Sequence, residues 1–313
     1  MDSAAVASTL QVEYFTTKVG RKVPTLKIVS ASAQGLRPWQ QCVQEVMAKF
    51  PFEGYMQART HAYRSVVVNC SRLLSPGDRV LDFGAGPCDT SAVLVRAGFQ
   101  CTAIDDLGDD WHTRGTNRSR IHSFAQNAGV DLLVSHGVPD VLAKGSFDMV
   151  MIHDVIEHIA DSPRDLLLKL IGLLKDGGYL YVTVPNAVNL RKRLLVLSGR
   201  TNYPRFPAYY WSGSTWRGHK REYVKDDLHK LCQYLGLKKI LLKGEHHRLG
   251  ALPNWSQGLY KMTVGRIDSF RETLALIGQR PPNWEPVDIT SGLLRPILQQ
   301  ETPYQYEETE ACQ

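Results

Sequence analysis

The sequence contains no Cys-x-x-Cys pair, and its six cysteines (Cys42, Cys70, Cys88, Cys101, Cys232 and Cys312) are scattered singly along 313 residues. That spacing excludes a disulfide-stapled scaffold and a zinc ribbon, and it implies reduced thiols. No apolar run reaches the roughly 18 residues that a spanning helix needs, and the first residues lack a secretory apolar segment. No membrane association and a cytoplasmic location are therefore the expectation. Neither sign of charge dominates: 37 Lys and Arg face 31 Asp and Glu, a net +6. An excess this small suits an anionic substrate but does not by itself indicate nucleic acid. What the chain does have is a 43% hydrophobic content. That is enough to fill one large α/β domain with additions, or two modest ones.

Residues 80–89 read Val-Leu-Asp-Phe-Gly-Ala-Gly-Pro-Cys-Asp, an apolar strand that breaks into paired glycines and leads into a helix. Asp82 stands at the strand end, while Gly84 and Gly86 permit a sharp turn and close approach of a ligand to the backbone. A helix opened by Asp89 or Thr90 runs to Gly98, and 101–105 forms the next strand, ending in Asp105. Two ligands fit so far. A dinucleotide fold wants a third glycine where Asp89 stands, so that pyrophosphate can rest on the helix N-terminus. Asp82 and Asp89 would repel pyrophosphate and attract a sulfonium or ammonium group. Asp105 suits ribose hydroxyls in either case.

The segments Leu81-Asp-Phe-Gly-Ala-Gly-Pro87, Ala103-Ile-Asp-Asp106, Ser146-Phe-Asp-Met-Val-Met-Ile-His-Asp-Val-Ile-Glu-His158 and Gly177-Gly-Tyr-Leu-Tyr-Val-Thr-Val-Pro-Asn186 follow one another in order. Together they resemble the successive motifs of class I methyltransferases that use S-adenosylmethionine, of the small-molecule type, over roughly residues 60–267. The resemblance implies a Rossmann-like α/β fold: a seven-stranded, mostly parallel sheet with an antiparallel edge hairpin and helices on both faces. It implies S-adenosylmethionine held by Asp82, Gly84, Ala85, Gly86, Asp105, Asp106, His136, Gly137 and His153. It also places the helix carrying Arg59, His61 and Arg64 near the cofactor's carboxylate, although each of these suits an ordinary surface role. The family usually has an acid after the third strand for the adenine amino group; here Ser135-His-Gly137 stands instead.

Outside those motifs, residues 1–35 suit an arm, a small hairpin or a tail. Trp39, Val43, Val46, Met47 and Phe50 recur at helical spacing. Three parts follow: an N-terminal arm and cover helix over 1–54, a catalytic domain over 55–270, and a C-terminal extension over 271–313. Residues 106–119 read as a long decorated loop in which Trp111 could stack on adenine or substrate. Ser162 caps a helix with Pro163 at its first position, and its leucines belong to the core. The edge hairpin is expected from 237–242 and 260–264, with 271–280 helical. Residues 187–224 form an excursion rich in bases and aromatics, read either as a lid over a ring-bearing or anionic substrate or as a flap packed on itself. Its candidate substrate contacts are Trp211, Trp216, His219, Arg221 and Tyr223.

Methyl transfer to a hydroxyl requires a proton acceptor, and histidine titrates near neutrality. His153 and Asp154, at the end of the strand 147–152, are the leading catalytic pair. His158 is the next candidate base, then His219, His246 or His247, and a mechanism without a side-chain base stays open. His153, Asp154, Glu157 and His158 could also form an oxygen-rich Mg²⁺ site, but no metal is expected. The preferred acceptor is a hydroxyl of a small, sugar-bearing or secondary metabolite. The alternatives are nitrogen methylation, RNA or protein methylation, a nicotinamide oxidoreductase, or a noncatalytic binding protein. Nucleic acid is disfavoured, since neither basic patch, Arg191-Lys-Arg193 or Arg217 to Arg221, accompanies a recognisable accessory module, and a homo-oligomer is left open.

Overall fold

A computed structural model describes residues 10–16, 22–28, 35–201, 203–212, 216–246, 254–262 and 264–287. At the N-terminal end, β1 (Leu10–Thr16) and β2 (Lys22–Ile28) pair antiparallel, the hairpin among the three expected forms. The chain then makes α1 (Trp39–Met47) and α2 (Thr60–Leu73). On α2, Tyr63, Val66, Val67 and Cys70 are buried at three- and four-residue steps, so one stripe seats the helix on the sheet. From β3 (Arg79–Phe83) the backbone turns into α3 (Asp89–Ala97), which Gly98 ends in the left-handed conformation. β4 (Gln100–Asp105) is followed by α4 (Asp110–Thr113), α5 (Asn117–Ala128) and β5 (Asp131–Val134). Residues 106–119, expected to be a decorated loop, thus contain α4 and the first turn of α5, with loop between and before them.

After β6 (Phe147–His153) come α6 (Arg164–Gly172) and β7 (Leu174–Pro185). The excursion contains α7 (Leu190–Leu197) and α8 (Phe206–Tyr210) and leads to α9 (Lys225–Tyr234). Next are β8 (Lys238–Glu245), α10 (Asn254–Met262) and β9 (Thr273–Gln279). Pro163 precedes α6 rather than occupying its first position, and Ser162 Oγ accepts from the Arg164 amide at 3.3 Å.

The main sheet has seven strands in the order β5-β4-β3-β6-β7-β9-β8. β3, β4, β5, β6 and β7 run parallel, while β9 pairs antiparallel with both β7 and β8. Two sequence expectations are corrected here. The second strand of the edge pair is β9 and not 260–264, which falls on α10 and the turn after it. Residues 271–280, expected to be helical, instead supply a strand inserted between β7 and β8. Every side chain of β9 from Thr273 to Gly278 is buried, and Leu274, Ala275, Leu276 and Ile277 are apolar on both faces, as an inner strand requires. A domain boundary at 270 would therefore cut through the sheet.

The period of two along each strand divides the core into two layers. Val80, Met149, Met151 and Tyr181 face α1, α2 and α3. Leu81, Val150, Ile152 and Val182 face α6 and α9. β4 follows β3 on one side and β6 lies on the other, so the chain's winding reverses at β3. Open α/β sheets bind ligands at such a switch point, beyond the strand carboxyl ends. Cys42, Cys70, Cys88, Cys101 and Cys232 are free and buried, and Cys312 lies outside the described residues. Among the described residues, no helix is long and apolar enough to cross a membrane.

Candidate active site

Beyond the ends of β3, β4 and β6 lies a crevice of about 730 Å³. Its floor is the glycine turn. Gly84 has φ +75°, and a Cβ there would lie 2.3 Å from a Val155 methyl carbon. Gly86 has φ +55°, and a Cβ on it would meet nothing within 4 Å, so its α-carbon faces open space. The amides of Gly86 and Leu107 hold Asp105, each donating at 2.7 Å to one of its oxygens. Asp82 and Asp89 are each 2% exposed. Ser91 Oγ donates to Asp82 at 2.6 Å, and the Tyr63 hydroxyl donates to Asp89. Burial pushes the Asp82 carboxyl up to about 7, against the Ser91 bond, with Asp89 and Asp105 adding repulsion.

Arg59 brings a guanidinium into the same crevice, bonded to the Tyr55 hydroxyl at 2.8 Å. His61 and Arg64 do not line it. Three closely grouped carboxylates opposite one arginine fit a ligand that carries a sulfonium or ammonium centre, ribose hydroxyls and a carboxylate of its own. The buried Asp89 at the start of α3 opposes a pyrophosphate there.

β6 delivers His153 and Asp154 to the crevice. The His153 ring lies edge-on to Tyr181 with centroids 4.6 Å apart. Asp154 takes φ +54°, a conformation rare for a side-chain-bearing residue, and its amide donates to Thr183 O at 2.9 Å. The bend launches a short 3-10 turn, Ile156–His158. There the His158 Nδ1 meets the Arg217 carbonyl at 2.6 Å. A carbonyl only accepts, so Nδ1 carries the proton and Nε2 keeps its lone pair. Burial, the larger influence, and neighbouring His219 lower the His158 pKa against the raising effect of that carbonyl.

Glu157 is fully buried, and among the described residues neither carboxyl oxygen has a hydrogen-bond partner. Burial, reinforced by Asp154, pushes it up to about 9. Ligand atoms of Glu157, His158 and His219 lie within 4.8 Å of one another, a set that could hold a metal ion once Glu157 loses its proton.

The excursion crosses over this edge. Trp216, Arg217 and Lys220 line the crevice. Arg217 reaches Asp106 at 3.0 Å and Asp109 at 2.7 Å, tying the excursion to the loop after β4. Against burial, the Gly108 amide and Arg217 hold the Asp106 pKa below its usual value. Asp106 also meets His136 Nδ1 at 3.1 Å; the His136 side chain is 89% exposed, at the crevice rim. Trp111 lines the crevice edge-on to Phe52, with centroids 5.1 Å apart.

Several sequence candidates fall elsewhere. Gly137 is not among the lining residues, and its amide donates to Ser135 Oγ at 3.3 Å. Trp211 is 80% exposed and packs on Tyr210, away from the crevice. Tyr223 is buried with its hydroxyl donating to Ile156 O at 3.4 Å, so it braces the turn from below. Arg221 and His219 line a neighbouring cavity of about 340 Å³, where His219 Nδ1 meets Glu222 at 2.8 Å. His246 borders another cavity, and His247 lies outside the described residues. The roles of Tyr63 and Arg217 carry no local sequence signal, because each depends on a partner distant in the chain; that of Ser91 depends on Asp82 across the glycine turn.

A family model described as a methyltransferase domain matches residues 54–242, more than half of the chain. The ubiquinone biosynthesis O-methyltransferase of Xanthomonas campestris pv. campestris (strain B100) is 35% identical over 134 residues, covering 42% of this chain and 53% of that protein. The protein of the same description from Xanthomonas axonopodis pv. citri is 36% identical over 118 residues, covering 37% of this chain and 46% of that protein. The chain thus spans about half the length of the curated relatives it matches. Among solved structures, a chain from the complex between the Haloferax volcanii Trm112 methyltransferase activator and a methyltransferase aligns with TM-score 0.50 at 14% identity. That alignment covers 77% of this chain and 96% of the other, a likeness of fold.

Proposed function

The chain belongs to the class I methyltransferases that use S-adenosylmethionine, and on that premise we propose that it methylates a hydroxyl of a small molecule, with a crevice histidine taking the proton. S-adenosylmethionine, when bound, supplies a methyl group already activated by a sulfonium charge, so the protein's task is to bind, align and desolvate. In this reading Asp105 accepts from ribose hydroxyls, Asp82 and Asp89 favour the positive centre, and Arg59 meets the carboxylate; the presence of all four in one crevice supports it. Trp216, Arg217 and Lys220 cover the acceptor side and exclude water.

The observation that carries the proton step is His158, with Nδ1–H committed to the Arg217 carbonyl at 2.6 Å. That bond orients the ring and leaves Nε2 as the basic atom, while the lowered pKa keeps the imidazole neutral at pH 7. His153, leading on sequence alone, is the second base reading; its place at the end of β6 and in the crevice lining favours it. The relatives' description as O-methyltransferases supports oxygen over nitrogen. No metal is assigned to the step.

The test is single-turnover transfer of isotopically labelled methyl from S-adenosylmethionine to hydroxyl-bearing metabolite pools, read by mass spectrometry. His158→Ala should abolish rapid transfer with donor binding retained. A normal rate in that variant together with a collapse in His153→Ala would move the role to His153. Label appearing only on nitrogen would overturn the hydroxyl assignment.

A further inference from the structure

A second cavity, of about 390 Å³, shares no lining residue with the crevice. One wall is the outward face of α2, where His61, Arg64, Ser65, Val68 and Arg72 recur at helical spacing. The other wall combines the end of β8, which carries Lys243 and Glu245, with Gly265 and Arg271. Glu245 pairs in register with Thr273 and, through it, with Pro185 of β7, so the cavity opens at the same sheet edge as the crevice. Three strand spacings separate β8 from β6, about 14 Å.

The charges around this cavity do not balance. Lys243 is answered by Glu245 at 3.0 Å, and Glu245 also accepts from Asn69 at 3.4 Å. Arg271 meets Asp268 at 3.4 Å and donates to the carbonyls of Gly244 at 2.9 Å and Gly265 at 3.0 Å. Those bonds lock its planar fork in place, so little ordering is left to lose when a ligand arrives. Among the described residues, Arg64 and Arg72 meet no carboxylate; the Arg64 guanidinium lies over the ring of Trp39, 5.9 Å from its centroid. Gathering four cations around one small volume is repulsive, and two of them have no carboxylate partner among the described residues. His246 does not add to the charge, since burial, followed by Arg271, lowers its pKa.

We propose that this cavity is a binding site for a phosphate-bearing dianion, separate from the methyl-transfer crevice. Two unneutralised arginines match two negative charges. A pre-oriented guanidinium and the Lys243 ammonium supply further donors to phosphate oxygens. The site stands on its own geometry and does not depend on the methyltransferase reading.

The test is isothermal titration of the whole protein with inorganic phosphate at constant ionic strength, with chloride as the control. Saturable binding at one site is expected. The double variant Arg64→Ala/Arg72→Ala should weaken it at least about ten-fold, because two charge-assisted contacts are lost. Both side chains are exposed, so this variant should melt at the wild-type temperature. Saturating the crevice with S-adenosylhomocysteine should leave phosphate affinity unchanged. Absence of saturable binding, equal affinity in the double variant, or displacement by S-adenosylhomocysteine would each overturn the proposal.

Discussion

The crevice and the basic cavity draw on the same short stretch of chain yet carry opposite charge. Arg59, in the turn before α2, faces the crevice; Arg64 and Arg72, one and three turns into the helix, face away from it. In the crevice, Asp82, Asp89 and Asp105 are pre-bonded by Ser91, Tyr63 and two backbone amides, so the protein itself fixes their geometry. In the basic cavity, Arg271 is fixed in the same way, while Arg64 and Arg72 are exposed. A site built on buried carboxylates thus has its geometry fixed by their hydrogen bonds, whereas one lined by exposed arginines relies on charge. The difference also makes the two sites separable by experiment.

The largest effect that would sharpen this separation is on turnover. His158→Ala should lower the methyl-transfer rate about 100-fold or more, the ordinary contribution of a general base, with phosphate binding untouched. In the wild type, the rate should rise with pH to a plateau, with its midpoint below the usual histidine value, because burial lowers the His158 pKa; a midpoint above 7 in single-turnover measurements would contradict this. Next come the carboxylates. Asp105→Ala and Asp82→Ala should each weaken S-adenosylmethionine binding about 10- to 100-fold by calorimetry, the worth of a charge-assisted contact. Equal affinity in both variants would erase the distinction between an acidic donor site and a basic anion site.

Glu157 gives a smaller effect, on stability. Its folded pKa, about 9, lies above the ordinary carboxyl value. Between roughly pH 4.5 and 9 the folded chain therefore holds a proton that the unfolded chain has released. Stability then falls as pH rises through that window, by up to about 3 kcal/mol at pH 7. Glu157→Gln should remove this slope and raise the melting temperature at pH 8, with little difference at pH 4. A wild-type slope of the opposite sign would mean that Glu157 is charged in the fold, as a bound metal would make it.

Smaller still is Arg217→Ala. Its two ion pairs are partly exposed, so the expected outcome is a few-fold rise in acceptor KM with the overall fold retained. Dialysis against a chelator should change turnover least of all; loss of activity restored by a divalent cation would assign the Glu157, His158 and His219 cluster to a metal.

The fold was legible wherever its cause is local. Residues 80–89 combine a strand, two glycines and a helix start within ten positions, and the structure puts a turn over a crevice there. The short apolar run of β6 and the leucines of α6 likewise led to the right elements. The reading failed at β9. Residues 273–279 are apolar on both faces, a pattern that a short run of sequence shares with a buried helix, and only the vacant place between β7 and β8 settles the matter. Trp211 and Tyr223 illustrate the same limit: two aromatics in one excursion, one left in solvent and the other buried beneath the turn.

By itself, the sequence determined the strand, glycine turn and helix start over residues 80–89 and the carboxylates at two strand ends, because backbone freedom and periodicity act over a few residues. Only the tertiary structure decided that Arg217 would clasp Asp106, that the Glu157 carboxyl would be sealed with no hydrogen-bond partner among the described residues, and that Arg64 and Arg271 would face one cavity. Those outcomes bring together or isolate charges far apart along the chain, and their energies depend on burial and distance, which exist only once the layers have packed.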